Sequence, residues 1–260
     1  MKSEDAPLTQ GSRRAAAELA RAWRHGARLE GLPTTGSRED AYLVQDEMAR
    51  LLGLRVAGWK VGAASPGVMK EKGIDAPIPG RIFAGTLSES PAEISASRLP
   101  QTNLESEFAF RVGRDFGPGR QYSRDEAGED CTLHAAFDLT GSRYVNGPAD
   151  LFEEIADNGN AGAVVVGSGR EIPALDLERV LIDLRINSGA GVANLNGENR
   201  RDPVGVLLWT INSLSERGHA LEAGSYVLTG SVTQPQPLEL GDEAVARFEG
   251  IGGVRVRLVK

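Results

Sequence analysis

The ten residues Asn103-Leu-Glu-Ser-Glu-Phe-Ala-Phe-Arg-Val112 decide how the rest of the chain is read. Apolar Leu104, Phe108 and Phe110 alternate with Glu105, Glu107, Ala109 and Arg111. A period of two marks a strand, because successive side chains leave a strand on opposite faces. Glu105 and Glu107 therefore share one face, and the aromatic residues take the other. Two like charges side by side on a partly buried strand repel each other. A divalent cation that accepts both carboxylates removes that repulsion, and oxygen ligands of this kind suit Mg²⁺ or Mn²⁺. The plain alternative is an edge strand with a solvated acidic face, and spacing alone favours it.

Outward from this strand the chain keeps the same texture. Short apolar stretches at 56–61, 81–83, 93–95, 135–139, 163–166, 181–186, 225–229 and within 244–259 are separated by Gly, Pro and Ser clusters and read as strands. The 32 glycines with only 5% aromatic residues fit many tight turns. Helical spacing is confined to a few segments. Ala16, Leu19, Ala20, Trp23 and Ala27 predict a helix over 13–28. Ser37 is a candidate N-cap for a second helix through Tyr42, Val44, Met48 and Leu51 to Gly53, with Asp40 completing a weak capping box. A short helix is expected over 151–157. Pro203 fits the first turn of another that runs to Gly218. The expectation is an α+β fold: a polar, flexible lead-in over 1–12, then one strand-rich domain over 13–260 whose part 13–53 is helical.

The 260 residues are enough for a sizeable core. The net charge of −7 argues against nucleic acid as a partner, since phosphate binding needs a basic surface. A local basic cleft for a small anion stays compatible with it. The single Cys131 excludes an internal disulfide and fits a reducing cytosol. No apolar run reaches the roughly 18 residues of a membrane span, and Met1-Lys2-Ser3-Glu4-Asp5 has no secretory pattern. A cytoplasmic protein is expected.

Three further segments draw attention. Lys60 lies in Gly58-Trp-Lys-Val-Gly62, an apolar stretch without a neighbouring acid. Such a lysine is either desolvated, with a lowered pKa suited to proton transfer or anion holding, or it reaches out to solvent along a buried stem. Asp75 in Gly73-Ile-Asp-Ala-Pro-Ile-Pro-Gly80 reads by composition as a turn-former. Asn158 and Gly159, after Ile155-Ala-Asp157, suit left-handed conformations at a helix end. Other chemistries lack support. His25, His134 and His219 show no metal spacing, no Gly-x-Ser-x-Gly elbow or Walker loop is present, and Gly250-Ile-Gly-Gly253 lacks the dinucleotide fingerprint.

Taken in order, Gly58-Trp-Lys-Val-Gly62, Gly73 to Gly80, Leu104-Glu-Ser-Glu-Phe-Ala-Phe110, Ile155-Ala-Asp-Asn158 and Val227-Leu-Thr-Gly-Ser231 resemble the 2-keto-4-pentenoate hydratase / 4-oxalocrotonate decarboxylase branch of the fumarylacetoacetate hydrolase superfamily. The resemblance implies a mixed β-sandwich roll with an N-terminal helical layer. It implies Mg²⁺ or Mn²⁺ held by Glu105, Glu107 and a third acid that falls on Asp138, where the family has Glu. It further implies Lys60 and Asp75 as proton-transfer residues, and Ser65, Asp157 and Ser231 as substrate contacts. The substrate implied is a small 2-keto or 2-hydroxy-dienoic acid, turned over through a metal-stabilised enolate. A homo-oligomer is implied too, with association to a related pathway enzyme as an option. Gly141 stands where the family often has Asp, and Gly159, Asn160 and Ala161 where it has small hydroxyl residues. These departures bear on the substrate more than on the fold.

Hydration of a 2-hydroxydienoate and decarboxylation of a 2-keto diacid both fit these motifs. A carbon–carbon hydrolase needs a His–Glu dyad, for which only His25 and Glu30 are near, five apart and poorly placed to face each other. A non-catalytic partner subunit that keeps the fold, and a biosynthetic lyase or isomerase, are the remaining readings.

Overall fold

Alternation of buried and exposed residues along the last two strands shows how the chain layers itself. The computed structural model describes residues 8–32, 36–99 and 102–260. Its α-helices are α1 (Gln10–His25), α2 (Arg38–Leu52), α3 (Pro66–Lys72), α4 (Arg124–Gly128), α5 (Leu151–Ala156) and α6 (Pro203–Glu216). Its strands are β1 (Val56–Gly62), β2 (Ile78–Phe83), β3 (Leu87–Glu89), β4 (Ala92–Ser95), β5 (Asn103–Arg111), β6 (Thr132–Thr140), β7 (Ala163–Val166), β8 (Arg170–Glu171), β9 (Ile182–Ile186), β10 (Tyr226–Ser231), β11 (Gln236–Pro237), β12 (Glu243–Phe248) and β13 (Gly252–Val259).

The large sheet runs β2-β1-β10-β5-β6-β7-β3, with β11 beside β5 and β8 beside β6. The small sheet runs β4-β13-β12-β9. Both mix parallel and antiparallel pairs: β1 lies parallel to β10, and β10 antiparallel to β5. One face of the small sheet is buried, through Ala244, Ala246, Phe248, Val254, Val256 and Leu258. It packs on Phe108, Phe110, Leu133, Phe137 and Leu139 of the large sheet, so the main core lies between the sheets. Removing each such aromatic side chain from water stabilises the fold by roughly 1.5–3 kcal/mol. This is the expected α+β roll.

The helical layer is a second core. Leu19, Val44, Met48, Tyr144 and Ala156 meet Phe83 at the end of β2. Ser37 caps α2 through its hydroxyl, which accepts from the Asp40 N–H at 3.1 Å, and Gly53 ends the helix in a left-handed conformation. The Asp40 carboxylate does not close a capping box; it accepts from the Ser12 hydroxyl at 2.8 Å and ties α2 to α1. Helix α1 begins at Gln10, earlier than its periodicity predicts, and Ser12 is buried. Of the expected lead-in, residues 1–7 lie outside the described ones. Among the described residues no helix is long and apolar enough to cross a membrane.

Asp46 of α2 anchors this layer to the sheet. It accepts from the Arg81 guanidinium of β2 and lies 3.4 Å from Arg217 and 3.5 Å from His219. Burial acts to raise its pKa, but the His219 hydrogen bond and the Arg81 and Arg217 charges outweigh it and hold the carboxyl at about 2. A depressed folded-state pKa contributes stability above the unfolded value near 4, and that stability is lost as pH falls through about 2. About 1–2 kcal/mol is expected, since a third of the side chain is solvent-exposed and screened. Denaturant midpoints of wild type and Asp46→Asn should therefore differ at pH 5 and converge near pH 2. Parallel pH curves would contradict this.

Candidate metal centre

Register across two strands builds the site. In the antiparallel β5–β6 pair, Glu105 lies opposite Asp138 and Glu107 opposite Ala136. All three carboxylates thus leave the large sheet on the face turned away from the inter-sheet core. Their candidate ligand oxygens lie within 4.8 Å of one another. Glu107 and Asp138 are fully buried, and Glu105 is partly buried. Glu107 Oε2 accepts from the Gly230 N–H at 2.6 Å. The pairing of β10 with β5 shifts between Leu228 and Ser231, and Gly230 sits in that irregularity with φ +90°. Glycine adopts this conformation without strain and so turns its N–H onto the carboxylate.

Glu107 Oε1 and Asp138 Oδ1 are buried and accept no hydrogen bond among the described residues. Leaving such acceptors dry costs about 1–3 kcal/mol each, and more when charged. Burial, followed by the charges of Asp138 and Glu105, pushes Glu107 well above the usual carboxylate range. Burial with the Asp138 and Glu154 charges lifts Glu105 to about 7, against the pull of Lys60. Burial also raises Asp138, again opposed by Lys60. Three crowded carboxylates with unused oxygens fit a hard divalent cation, which would take up those oxygens and offset the repulsion.

Lys60 on β1 faces the same cluster. Its Nζ lies 3.1 Å from Asp138 Oδ2 and donates to the Gly159 carbonyl at 3.1 Å. It is buried, so the solvent-reaching alternative fails. The lowered pKa expected of a desolvated lysine is corrected as well. Burial does act to lower it, but the charges of Asp138, Glu105 and Glu107 prevail and raise it. Lys60 lacks acidic neighbours only along the chain; the sheet brings three across from other strands.

The Gly159 carbonyl is set by a tight turn. Asn158 and Gly159 are left-handed, at φ 58° and 61°, as expected. The Asn158 side chain accepts from Arg81 N at 2.7 Å and donates to Arg81 O at 2.9 Å. A Cβ on Gly80 would lie 2.1 Å from the Asn158 carbonyl, so only glycine lets β2 and this turn approach so closely.

A cavity of about 510 Å³ opens over the cluster, lined by Lys60, Glu105, Ser65, Ser231 and Arg201 among others. Ser65 also caps α3, accepting from Val68 N at 3.3 Å, and the Ser231 hydroxyl donates to the Thr233 carbonyl at 2.7 Å. Two expected site residues stand elsewhere. Asp75 is exposed on the turn before β2 and pairs with Arg38 at 2.7 Å, as a turn residue would. Asp157 is buried but committed to Ser142 and Arg143, whose Nε lies 2.5 Å away. Neither lines the cavity, nor do His25 and Glu30. Arg201 was not singled out from the sequence; its only signal there is a second arginine just ahead of the Asp202-Pro203 helix start.

No family model matches the chain. Over 274 aligned positions covering 100% of both proteins, it is 29% identical to the TodF product hydratase of Pseudomonas putida. It is 29% identical to the 2-keto-4-pentenoate hydratase of Paraburkholderia xenovorans, covering 84% of this chain and 82% of that one. It is also 29% identical to the 4-oxalocrotonate decarboxylase of a Pseudomonas species, covering 85% of each. Its fold superposes on the 4-oxalocrotonate decarboxylase of Pseudomonas putida G7, solved with magnesium and adipate, at a TM-score of 0.85 and 21% identity, over 98% of this chain and 100% of that one. A fumarylpyruvate hydrolase of Pseudomonas aeruginosa, solved with Mn²⁺ and pyruvate, gives a TM-score of 0.57 at 20% identity, over 79% of this chain and 90% of that one. By sequence this chain is similar to 2-keto-4-pentenoate hydratases and 4-oxalocrotonate decarboxylases, and its fold is similar to those of the solved 4-oxalocrotonate decarboxylase and fumarylpyruvate hydrolase.

Proposed function

We propose that the chain is a divalent-metal-dependent lyase, a hydratase of a 2-hydroxy-2,4-dienoate of the 2-keto-4-pentenoate type. The observation that carries this reading is the buried trio of Glu105, Glu107 and Asp138 with unused oxygens beneath a cavity, and Lys60 set against it. In this reading the three carboxylates hold Mg²⁺ or Mn²⁺. When bound, such an ion supplies Lewis-acid polarisation of a 2-oxo group and offsets negative charge on its oxygen.

The chain's own groups do the rest. The Lys60 ammonium has three hydrogens. One goes to Gly159 and one faces Asp138, which leaves the third for substrate. Lys60 is thus the group that lends a proton to the dienoate carbon skeleton and takes one back as water adds across the remaining double bond. Ser65 and Ser231 offer hydroxyls along the cavity.

Decarboxylation of a 4-oxalocrotonate-type diacid is the second reading. It uses the same residues and is favoured by the decarboxylases among the relatives. Residues 13–260 acting as one catalytic unit and a homo-oligomeric assembly belong to the same proposal and rest on the resemblance; a cytoplasmic setting belongs to it too and rests on the single Cys131. The test is turnover of 2-hydroxypenta-2,4-dienoate with Mn²⁺, followed by loss of dienol absorbance, beside CO₂ release from 2-oxohex-3-enedioate. Metal-dependent loss of the dienol, stopped by EDTA, is the expected result. No turnover of either compound with saturating metal contradicts the reading.

A further inference from the structure

Arg201 is a half-buried cation on the cavity wall that forms no ion pair among the described residues. It lies on the segment leading into α6 and lines the same cavity as Lys60 and Glu105. Among the described residues its guanidinium makes no hydrogen bond and no ion pair, and its Nε is buried and unsatisfied. Neighbouring cations are all committed. Lys60 faces Asp138, Lys72 pairs with Glu154 at 2.7 Å, and Arg200 donates to the carbonyls of Val232, Leu177 and Val180. Glu71, also on the wall, is exposed to solvent and forms no ion pair with Arg201.

Three carboxylates carry −3, while Lys60 and a divalent ion carry +3, so the cluster balances without Arg201. Burial lowers the Arg201 pKa to about 10, against the charges of Glu107 and Asp202. A guanidinium with a buried, unsatisfied Nε favours an incoming anion, and a carboxylate matches its fork in two parallel hydrogen bonds. The cavity has room for more than a chelating head group.

We propose that Arg201 is the specificity residue of this cavity and that it pairs with a second carboxylate at the far end of the substrate, whose 2-oxo acid head lies at the Glu105–Glu107–Asp138 cluster. The proposal rests on the metal-anchored reading of the site and narrows its substrate class to dicarboxylates. It also bears on the choice of reaction. A carboxylate held by a guanidinium keeps its charge, whereas loss of CO₂ requires the carboxylate to become neutral as the C–C bonding pair moves into the carbon chain. Pairing at the tail therefore favours proton transfer and water addition over decarboxylation at that end.

Two probes with the same head and chain length test this by calorimetry on the Mn²⁺-saturated protein: 2-oxohexanoate and 2-oxoadipate. The wild type should bind 2-oxoadipate at least about tenfold more tightly, as a charge-assisted pair implies. Arg201→Gln should erase that preference while leaving 2-oxohexanoate and Mn²⁺ affinities unchanged, and Arg201→Lys should keep part of it. Equal binding of the two acids by the wild type overturns the proposal, and this needs no variant to fold. A variant that weakens both acids alike also overturns it, by placing Arg201 at the head. Failure of Mn²⁺ or of both acids to bind the wild type removes the metal-anchored reading and this proposal with it. Binding of Mn²⁺ and 2-oxohexanoate without a diacid preference removes this proposal alone.

Discussion

Glu107→Gln is expected to abolish turnover, by about 10³-fold or more, while leaving the metal-free fold intact. The substitution keeps shape and an acceptor for the Gly230 N–H, which donates to Glu107 at 2.6 Å. It removes a charge from a buried group that shares its pocket with Glu105 and Asp138. Changes outside the direct ligands typically cost about 10–100-fold in metal affinity, so loss of a ligand charge should cost more. Repulsion within the trio falls at the same time, so the thermal midpoint of the metal-free variant should equal or exceed that of the wild type. Manganese affinity by calorimetry and the midpoint by circular dichroism check both halves. A variant that binds Mn²⁺ as well as the wild type contradicts the ligand role, and one that fails to fold contradicts the relief of repulsion.

Lys60→Met should separate catalysis from metal binding. Its ammonium faces Asp138 at 3.1 Å from within the core. Losing a group that moves protons typically costs about 10²–10⁴ in rate. Losing a cation beside three carboxylates strengthens their pull on a divalent ion, so Mn²⁺ affinity should hold or rise. The metal-free variant should be destabilised by about 3–5 kcal/mol, because Asp138 is left buried without its counter-charge. Added Mn²⁺ should restore much of that loss. The check is turnover at saturating metal beside unfolding with and without Mn²⁺. Parallel loss of metal affinity and rate would instead make Lys60 a support of the metal site.

What could be read in advance depended on local signals. The alternation through Phe110 gave β5 within a residue or two and put Glu105 and Glu107 on one face. Caps did the same for α2, since Ser37 and Gly53 need only their own neighbourhood. Helix α3 escaped because none of its seven residues is buried, so no apolar period marks it. Asp138 could not be placed from composition. It lies on β6, which is almost wholly buried, and it meets Glu105 only through strand register. The family resemblance supplied that position; the residues alone did not. The raised pKa of Lys60 was out of reach for the same reason, as every charge that sets it comes from another strand. Asp75 was misleading in the opposite sense: its motif fits a site, but its turn carries the side chain out to Arg38.

The central claim is that Glu105, Glu107 and Asp138 form a divalent-cation site made to take a chelating 2-oxo acid. Titration of Mn²⁺ into metal-free protein by calorimetry, with and without oxalate as an enolate mimic, tests it most directly. Binding of one ion per chain, tightened by oxalate and lost in Glu107→Gln, is the result this account predicts. No binding of Mn²⁺ with or without oxalate would contradict it and leave the carboxylate trio as a feature of the fold in a non-catalytic relative.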